Sequence, residues 1–236
     1  WGCIFYAILG LFFLRQFLIH YFKEYIVATV MVLIFFGTNL FAYSMSYSEM
    51  SHAHLFMLFS ALLWLSNSFY KKPSTFKFIL VGILLGFISL IRPVDIIFSF
   101  VFFLWDVTSL KELKERLRFY FTNYRSLITA AIVVLIWVPQ CLFWKHTTGQ
   151  YIYFSYVGER FFWADPQIKN ILLSYRKGWL LYSPMITMAI AGFFFAKKQE
   201  FKSKYSVIIL SLVVYIYSCW WDWGFGGGFA GRSFVP

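Results

Sequence analysis

Charge is scarce in this sequence. Asp, Glu, Lys and Arg make up 13% of its 236 residues, against about 25% in an ordinary soluble domain. Acids are scarcer than bases, 10 against 21, leaving a net charge of +11. Cysteine is scarce as well. Cys3, Cys141 and Cys219 lie in or beside apolar runs with no CxxC spacing. They read as packed free thiols, which excludes a disulfide framework and a Cys-based structural metal site. There is no GxSxG elbow, no HExxH and no Walker-type Gly-Lys-Ser/Thr, which leaves no sequence signal for a serine hydrolase, a zincin or a P-loop NTPase. The glycines of 224–228 follow no strand and so do not make a dinucleotide fingerprint. No internal repeat, low-complexity tract or soluble domain is visible, and His146, between Lys145 and Thr147, has no partner in sequence.

Apolar residues, by contrast, amount to 61% of the chain and aromatic ones to 24%. A soluble domain has about 45–50% apolar residues and cannot bury this much more, whereas a bilayer takes it up. Eight apolar segments follow one another: Trp1–Leu14, Tyr25–Tyr43, His54–Tyr70, Phe76–Ile91, Val94–Asp106, Leu127–Trp144, Leu181–Ala196 and Tyr205–Trp220. The expected fold is all-α: one polytopic transmembrane helical bundle over residues 1–236, with short interfacial helices. The sequence starts inside an apolar run at Trp1 and stops after a Gly-rich stretch at Pro236, and so reads as a fragment of a longer chain.

The basic residues orient the bundle. Arg15 and Lys23; Lys71, Lys72 and Lys77; Lys111, Lys114, Arg116, Arg118 and Arg125; and Lys197, Lys198, Lys202 and Lys204 account for fourteen of the 21 cations. The positive-inside rule places these four loops in the cytoplasm and explains the net charge without nucleic acid, for which no basic-aromatic module stands out. Keeping the clusters on one side requires 76–106 to cross twice, with Arg92-Pro93 at the tip, because the residue before Pro disfavours helix. Each arm then rises only about 20–24 Å, short of the ~30 Å hydrocarbon thickness, which sinks Arg92 below the outer surface. Ser109–Arg125 has Leu110, Leu113, Leu117, Tyr120 and Tyr124 at helical spacing and reads as an amphipathic helix on the cytoplasmic face. Asp165–Lys177, with Asp165 as cap, Pro166 in the first turn and Gly178 as stop, reads as an interfacial helix on the outer face.

Charged groups near the membrane plane are costly and mark cavities or partners. Arg92 suits a lipid phosphate, which a guanidinium binds in a bidentate way; alternatively it snorkels, or pairs with Asp95 to fix the hairpin. Glu49 and His52 stand three apart, one helix face, and suit acid–base work or a divalent metal; alternatively they only start a helix at Ser48, Glu49 being favoured by the dipole. The stretch 220–232 combines Trp221 and Trp223, whose faces suit sugar rings, with flexible backbone and the pair Asp222 and Arg232. Its alternative is an aromatic belt at the interface. No dedicated metal-ligand cluster is expected.

Four stretches carry a family resemblance: Ser48–His54; Gly82–Pro93 with Leu90-Ile91-Arg92-Pro93; Gly178–Pro184 with Tyr182-Ser183-Pro184; and Asp222–Pro236 with its Gly-x-Arg. Over about residues 30–236 the chain resembles the GT-C glycosyltransferases that use polyprenyl-phosphate sugars, in particular bacterial relatives of protein mannosyltransferases and aminoarabinose transferases. The resemblance implies a bacterial inner-membrane enzyme working on its periplasmic side. It would transfer a sugar from a polyprenyl-phosphate-linked donor to a lipid, glycan or protein acceptor. Arg92 would then hold the lipid phosphate and Arg232 offset charge on the leaving phosphate. Glu49 and His52 would support the acceptor or a metal, and Asp222 would orient Arg232 or the sugar. The family's catalytic carboxylate lies in a first outer loop that this sequence starts too late to include. A polysaccharide polymerase or ligase, a transporter and a structural membrane subunit are the alternatives; a transporter would carry an inverted repeat.

Overall fold

The computed structural model describes residues 2–47, 49–154, 158–195, 204–229 and 231–234. Among these the regular structure is helical, apart from one isolated antiparallel bridge between Phe161 and Trp220. The elements run α1 (Gly2–Leu18), α2 (Glu24–Gly37), α3 (Leu40–Met45), α4 (His52–Phe69) and α5 (Thr75–Ile91). A 3₁₀ segment (Pro93–Ser99) leads into α6 (Phe100–Phe103), α7 (Leu110–Thr122) and α8 (Arg125–Thr148). Then come α9 (Ile168–Leu173), α10 (Trp179–Tyr182), α11 (Pro184–Phe195), α12 (Lys204–Ser218) and a 3₁₀ turn (Arg232–Phe234).

Two parallel helix pairs build the frame. In the first, Tyr6 of α1 lies 4.1 Å from the ring of His54 in α4, Phe13 lies 5.5 Å from Trp64, and Tyr21 donates to Asn67 at 3.4 Å. In the second, Thr129 of α8 donates to the Phe78 carbonyl of α5 at 2.8 Å and Trp137 donates to Ser89 at 2.9 Å. Gly82 and Gly86 make the second pair possible. A Cβ on Gly86 would stand 2.6 Å from Ile136, and one on Gly82 would stand 3.0 Å from Ile132. Small residues four apart let two helix backbones close together where no larger side chain fits.

The chain turns back at Arg92. That residue is extended (φ −145°, ψ 100°), as the residue before a proline prefers. The returning arm is not the α-helix expected over 94–106: it is the 3₁₀ segment plus one turn of α6. A 3₁₀ helix rises about 2 Å per residue against 1.5 Å in an α-helix, so this tighter coil gains length with few residues. The arm ends where Phe102 packs 5.2 Å from Phe69 and its carbonyl accepts from Tyr70 at 2.8 Å. Trp105 lies 5.3 Å from Phe17. Arg92 and Phe102 thus sit at opposite ends of the helix stack. Arg15, Lys23, Lys71, Lys77 and Arg116 share the Phe102 end.

Other boundaries also differ from expectation. Tyr25–Tyr43 is broken at Thr38-Asn39, where Thr38 is extended and Asn39 meets Ser183 at 3.1 Å. The interfacial helix expected over Asp165–Lys177 shrinks to Ile168–Leu173, preceded by Gln167 with no side-chain cap. The amphipathic helix begins as its sequence suggests. Ser109 accepts from the Glu112 N–H at 3.2 Å while Glu112 accepts from the Thr108 N–H at 2.7 Å, a capping box shifted by one residue. That backbone bond holds the exposed Glu112 carboxyl below its ordinary pKa.

Among the described residues α8 is the one helix long and apolar enough to cross a membrane by itself; α1, α2, α5, 93–103 and 207–218 are apolar but shorter. No residue of α8 is buried, and Val134, Leu135, Leu142 and Phe143 are exposed along it, as are Phe5, Ile8 and Phe12 on α1 and Val32, Leu33 and Phe36 on α2.

Candidate functional site

The end of the stack opposite the basic loops gathers most of the charged residues singled out above. Arg92 leaves α5 and Asp95 sits one turn on, in the 3₁₀ segment. Their side chains form an ion pair at 3.4 Å, with Asp95 fully buried and Arg92 about a quarter exposed. The Tyr217 hydroxyl, from the last turn of α12, donates to the other Asp95 oxygen, and the Arg92 guanidinium lies 5.9 Å from the Tyr217 ring centre. A buried carboxylate is tolerable only with such partners. Asp95 is therefore an anchor: it fixes Arg92 and ties the hairpin tip to α12.

Arg232, in the final 3₁₀ turn, lies in the same neighbourhood. Its Nη1 lies 3.9 Å from the Met50 sulfur. Both Arg92 and Arg232 act electrostatically on the His52 imidazole, which is buried and lies 4.4 Å from the ring of Tyr43. Tyr43, itself fully buried, donates to the Phe229 carbonyl at 2.7 Å and so holds the Gly-rich segment down. Gly228 fits that closeness: a Cβ there would stand 2.6 Å from Arg232 Cδ and 2.8 Å from Tyr43 Oη.

Further round the rim, Asp222 accepts from the Gly226 N–H at 2.6 Å, closing a turn in which Phe225 and Gly226 both have positive φ (53° and 65°). Asp222 also pairs with Arg176 at 3.9 Å, and Arg176 lies 5.7 Å from the ring centre of Trp223. The expectation that Asp222 orients Arg232 is therefore corrected, since its charge is directed to Arg176 and to the backbone of its own turn. Lys177 stands among Arg232, Arg176 and Asp222. Desolvation, then the two guanidiniums, hold its ammonium below the ordinary lysine pKa, and Asp222 opposes them.

One further expectation, the Glu49–His52 pair, differs from what the structure shows. Glu49 lies in a turn before α4, not in its first turn, because α4 starts at His52 with Ser51 as its uncapped N-terminal neighbour. Glu49 is exposed, and its charge acts on Cys3, whereas His52 is buried under Tyr43. They do not share a helix face, and the acid–base or metal pair is not formed. Ser48 falls outside the described residues. Among the described residues no group of three or more His, Cys, Asp or Glu is placed to hold a metal ion. Trp221 is half exposed, and its backbone N–H donates to Arg160, whereas Trp223 is partly buried against the Ile171–Trp179–Tyr217 cluster.

Tyr43, Tyr217 and Lys177 are the residues that sequence reading missed. A tyrosine in an aromatic-rich chain gives no signal of its own; only the fold reveals that these two hydroxyls hold the arginine-bearing segments.

Arg92 Nη1 and Asp95 Oδ2 meet each other in the ion pair, whereas the buried His52 Nδ1 and Ser233 Oγ at this end have no hydrogen-bond partner. Each such group costs about 1–3 kcal/mol when left unmatched. Arg92, Arg176, Lys177 and Arg232 outnumber Asp95 and Asp222, so the field at this end favours an anion. Comparison with protein-family models, with curated proteins and with solved structures finds no match.

Proposed function

We propose that this chain is part of a polytopic membrane glycosyltransferase that takes a sugar from a polyprenyl-phosphate donor on the side of the membrane away from the basic loops. The observation that carries this reading is the placement of Arg92, held by Asp95, and Arg232, beside Met50, within electrostatic reach of the buried His52 at the end opposite the basic clusters. A phosphate brings acceptor oxygens in the geometry that guanidinium forks fit. The exposed apolar faces of α1, α2 and α8 support the bilayer setting, since a soluble chain rarely leaves such continuous apolar surface in water. Several helices too short to cross alone follow one another with little chain between them, α2 with α3 and the 3₁₀ segment with α6, which fits irregular backbone within a bundle.

In this reading Arg92, held by Asp95 and Tyr217, binds the donor's phosphate, and Arg232 offsets the negative charge that grows on it as the glycosidic bond breaks. Arg176 and Lys177 line the rim on the acceptor's side, and Trp223 closes the wall. The base that activates the acceptor is assigned to none of these residues. Asp95 is committed to Arg92 and Tyr217, and Asp222 to Arg176 and Gly226.

The test is a transfer assay with the full-length protein in bacterial inner-membrane vesicles and a donor mixture of radiolabelled polyprenyl-phosphate sugars. Transfer of label from the donor to lipid, glycan or protein, abolished by Arg232→Ala in a protein that still inserts, is the expected result. Turnover of no donor by wild type, with the protein inserted and folded, would contradict it.

A further inference from the structure

The amphipathic helix α7 carries two apolar faces, and the protein uses one of them. The inward face holds Leu113, Arg116, Phe119 and Tyr120, all partly buried. Arg116 donates to the Trp105 carbonyl at 2.9 Å and to the Phe103 carbonyl at 3.4 Å, and its guanidinium lies 3.6 Å from the Tyr70 ring centre. Tyr120 shares a hydrogen bond with the Tyr70 hydroxyl and packs 5.3 Å from Phe103. Phe119 lies 6.5 Å from Phe69 and 6.2 Å from Phe78. These contacts fasten α7 to the end of the stack that carries the basic loops. Its chain neighbours on both sides, Trp105 and the start of α8 near Phe78, are at that end as well.

The second face is open. Leu110, Leu117 and Phe121 stand seven and four residues apart, one row on a helix, and are 70%, 49% and 87% exposed. The open row continues through Tyr124 and Leu127, where the chain passes into α8, to Val134 and Leu135. Lys111, Lys114 and Arg118, three and four residues apart, form a second row directly beside it. Lys114 follows Leu110 by four residues and precedes Leu117 by three, and Arg118 precedes Phe121 by three. All three cations are exposed, and among the described residues none of them is in an ion pair. The acids of α7 stand elsewhere: Glu112 is held by the Thr108 N–H at 2.7 Å, and Glu115 lies on the side of the cation row away from the apolar one.

We propose that α7 docks on a leaflet containing anionic phospholipid, with Leu110, Leu117 and Phe121 sunk among the acyl chains and Lys111, Lys114 and Arg118 on the lipid phosphates. Cations that border a submerged apolar row sit at the depth of the headgroups, where a negative leaflet attracts them. The row also runs on into α8, the helix apolar enough to cross a bilayer, so both belong to one lipid-facing surface. An acidic protein segment would match the cations but not this continuation along α8. A zwitterionic leaflet would cover the apolar row and leave the cation row without a counter-charge. The proposal rests on the bilayer setting and not on sugar transfer, since it concerns the leaflet opposite Arg92.

The experiment is amide hydrogen exchange across α7 in the full-length protein, measured in detergent, in phosphatidylcholine vesicles and in phosphatidylcholine vesicles containing phosphatidylglycerol of the same acyl chains. In wild type the α7 amides should exchange about tenfold or more slowly with phosphatidylglycerol present than without it, since three cations each contribute about fivefold. Raised salt should shrink that difference. The triple variant Lys111→Gln, Lys114→Gln, Arg118→Gln should lose the difference while keeping the wild-type exchange in phosphatidylcholine, which shows that the helix still forms. The pair Leu117→Gln and Phe121→Gln should exchange faster in both kinds of vesicle. Equal exchange of wild type in the two vesicles, or an unchanged difference in the triple variant, would overturn the proposal. Equally slow exchange in detergent and in both vesicles would overturn it too, and would mean that protein covers the open face. A protein that needs no detergent for extraction would overturn the bilayer setting itself, whereas a failed sugar-transfer assay would leave this proposal standing.

Discussion

Gly227 and Gly228 are neighbours in one glycine run, yet alanine should affect them very differently. A Cβ at Gly227 meets nothing within 4 Å. A Cβ at Gly228 would stand 2.6 Å from Arg232 Cδ and 2.8 Å from the Tyr43 hydroxyl, so the Arg232 side chain or the 228–229 backbone must move. If the backbone moves, the 2.7 Å bond from Tyr43 to the Phe229 carbonyl breaks inside the protein, at about 1–3 kcal/mol for the unmatched hydroxyl. If Arg232 moves, the overpacking itself costs about 1–3 kcal/mol, and the guanidinium leaves His52. Gly228→Ala should therefore lower stability by about 2 kcal/mol and weaken binding of a polyprenyl phosphate probe by about tenfold or more. Gly227→Ala should lower stability by about 0.5 kcal/mol or less, as for a surface change that meets no special feature. Denaturant unfolding in detergent reads the first quantity, and lipid titration by native mass spectrometry reads the second. Equal effects of the two alanines on both would refute the packing of the Gly-rich segment over Tyr43.

At the hairpin tip, Asp95→Ala strands Arg92 beside a buried void and should cost about 3 kcal/mol, the low end for a broken buried pair because Arg92 keeps some solvent. Tyr217→Phe should cost about 1–3 kcal/mol by unmatching Asp95, and the double variant should cost less than the sum, a coupling that a double-mutant cycle in unfolding free energy would detect. In the frame, Gly86→Ala should cost about 1–3 kcal/mol through Ile136, read as a fall in melting temperature; an unchanged melting temperature would contradict the α5–α8 contact. Lys177 predicts a pH dependence. Its folded pKa lies below the unfolded one, so the folded chain binds fewer protons there, and stability rises as pH climbs from the depressed value to the ordinary one. A bound anion pulls the proton back, so phosphate-probe affinity should fall over that same rise. Lys177→Arg, which keeps its charge, should flatten the fall; an identical pH profile in wild type and variant would remove Lys177 from the anion's surroundings.

The helical class and the turn at Arg92 were legible because they rest on local rules: apolar runs bounded by basic loops, and a residue constrained by the proline after it. The amphipathic helix after Ser109 was legible from the helical spacing of Leu110, Leu113, Leu117 and Tyr120. The returning arm was not legible as 3₁₀, since Val94–Phe103 is as apolar as a short α-helix and only the distance to be spanned decides between them. Asp165 and Pro166 looked like a helix start but do not form one. Ile171 and Trp179 pack against Ile209, Val213 and Tyr217, and that tertiary contact outweighs the local signal. At the candidate site, Arg92, Asp95 and Arg232 stood out as rare charges in an apolar chain. Their partners Tyr43 and Tyr217 did not, and the pairing of Asp222 with Arg176, not Arg232, depends on a turn closed by Gly226 that no spacing reveals.

The central claim is that Arg92 and Arg232 jointly hold a lipid phosphate. Native mass spectrometry of the full-length protein with polyprenyl phosphate, comparing wild type with Arg92→Ala and Arg232→Ala, tests it most directly. The account predicts saturable binding to wild type, reduced about tenfold or more in each variant while the melting temperature shows both still folded. Equal binding by all three proteins, or no binding by wild type, would contradict it.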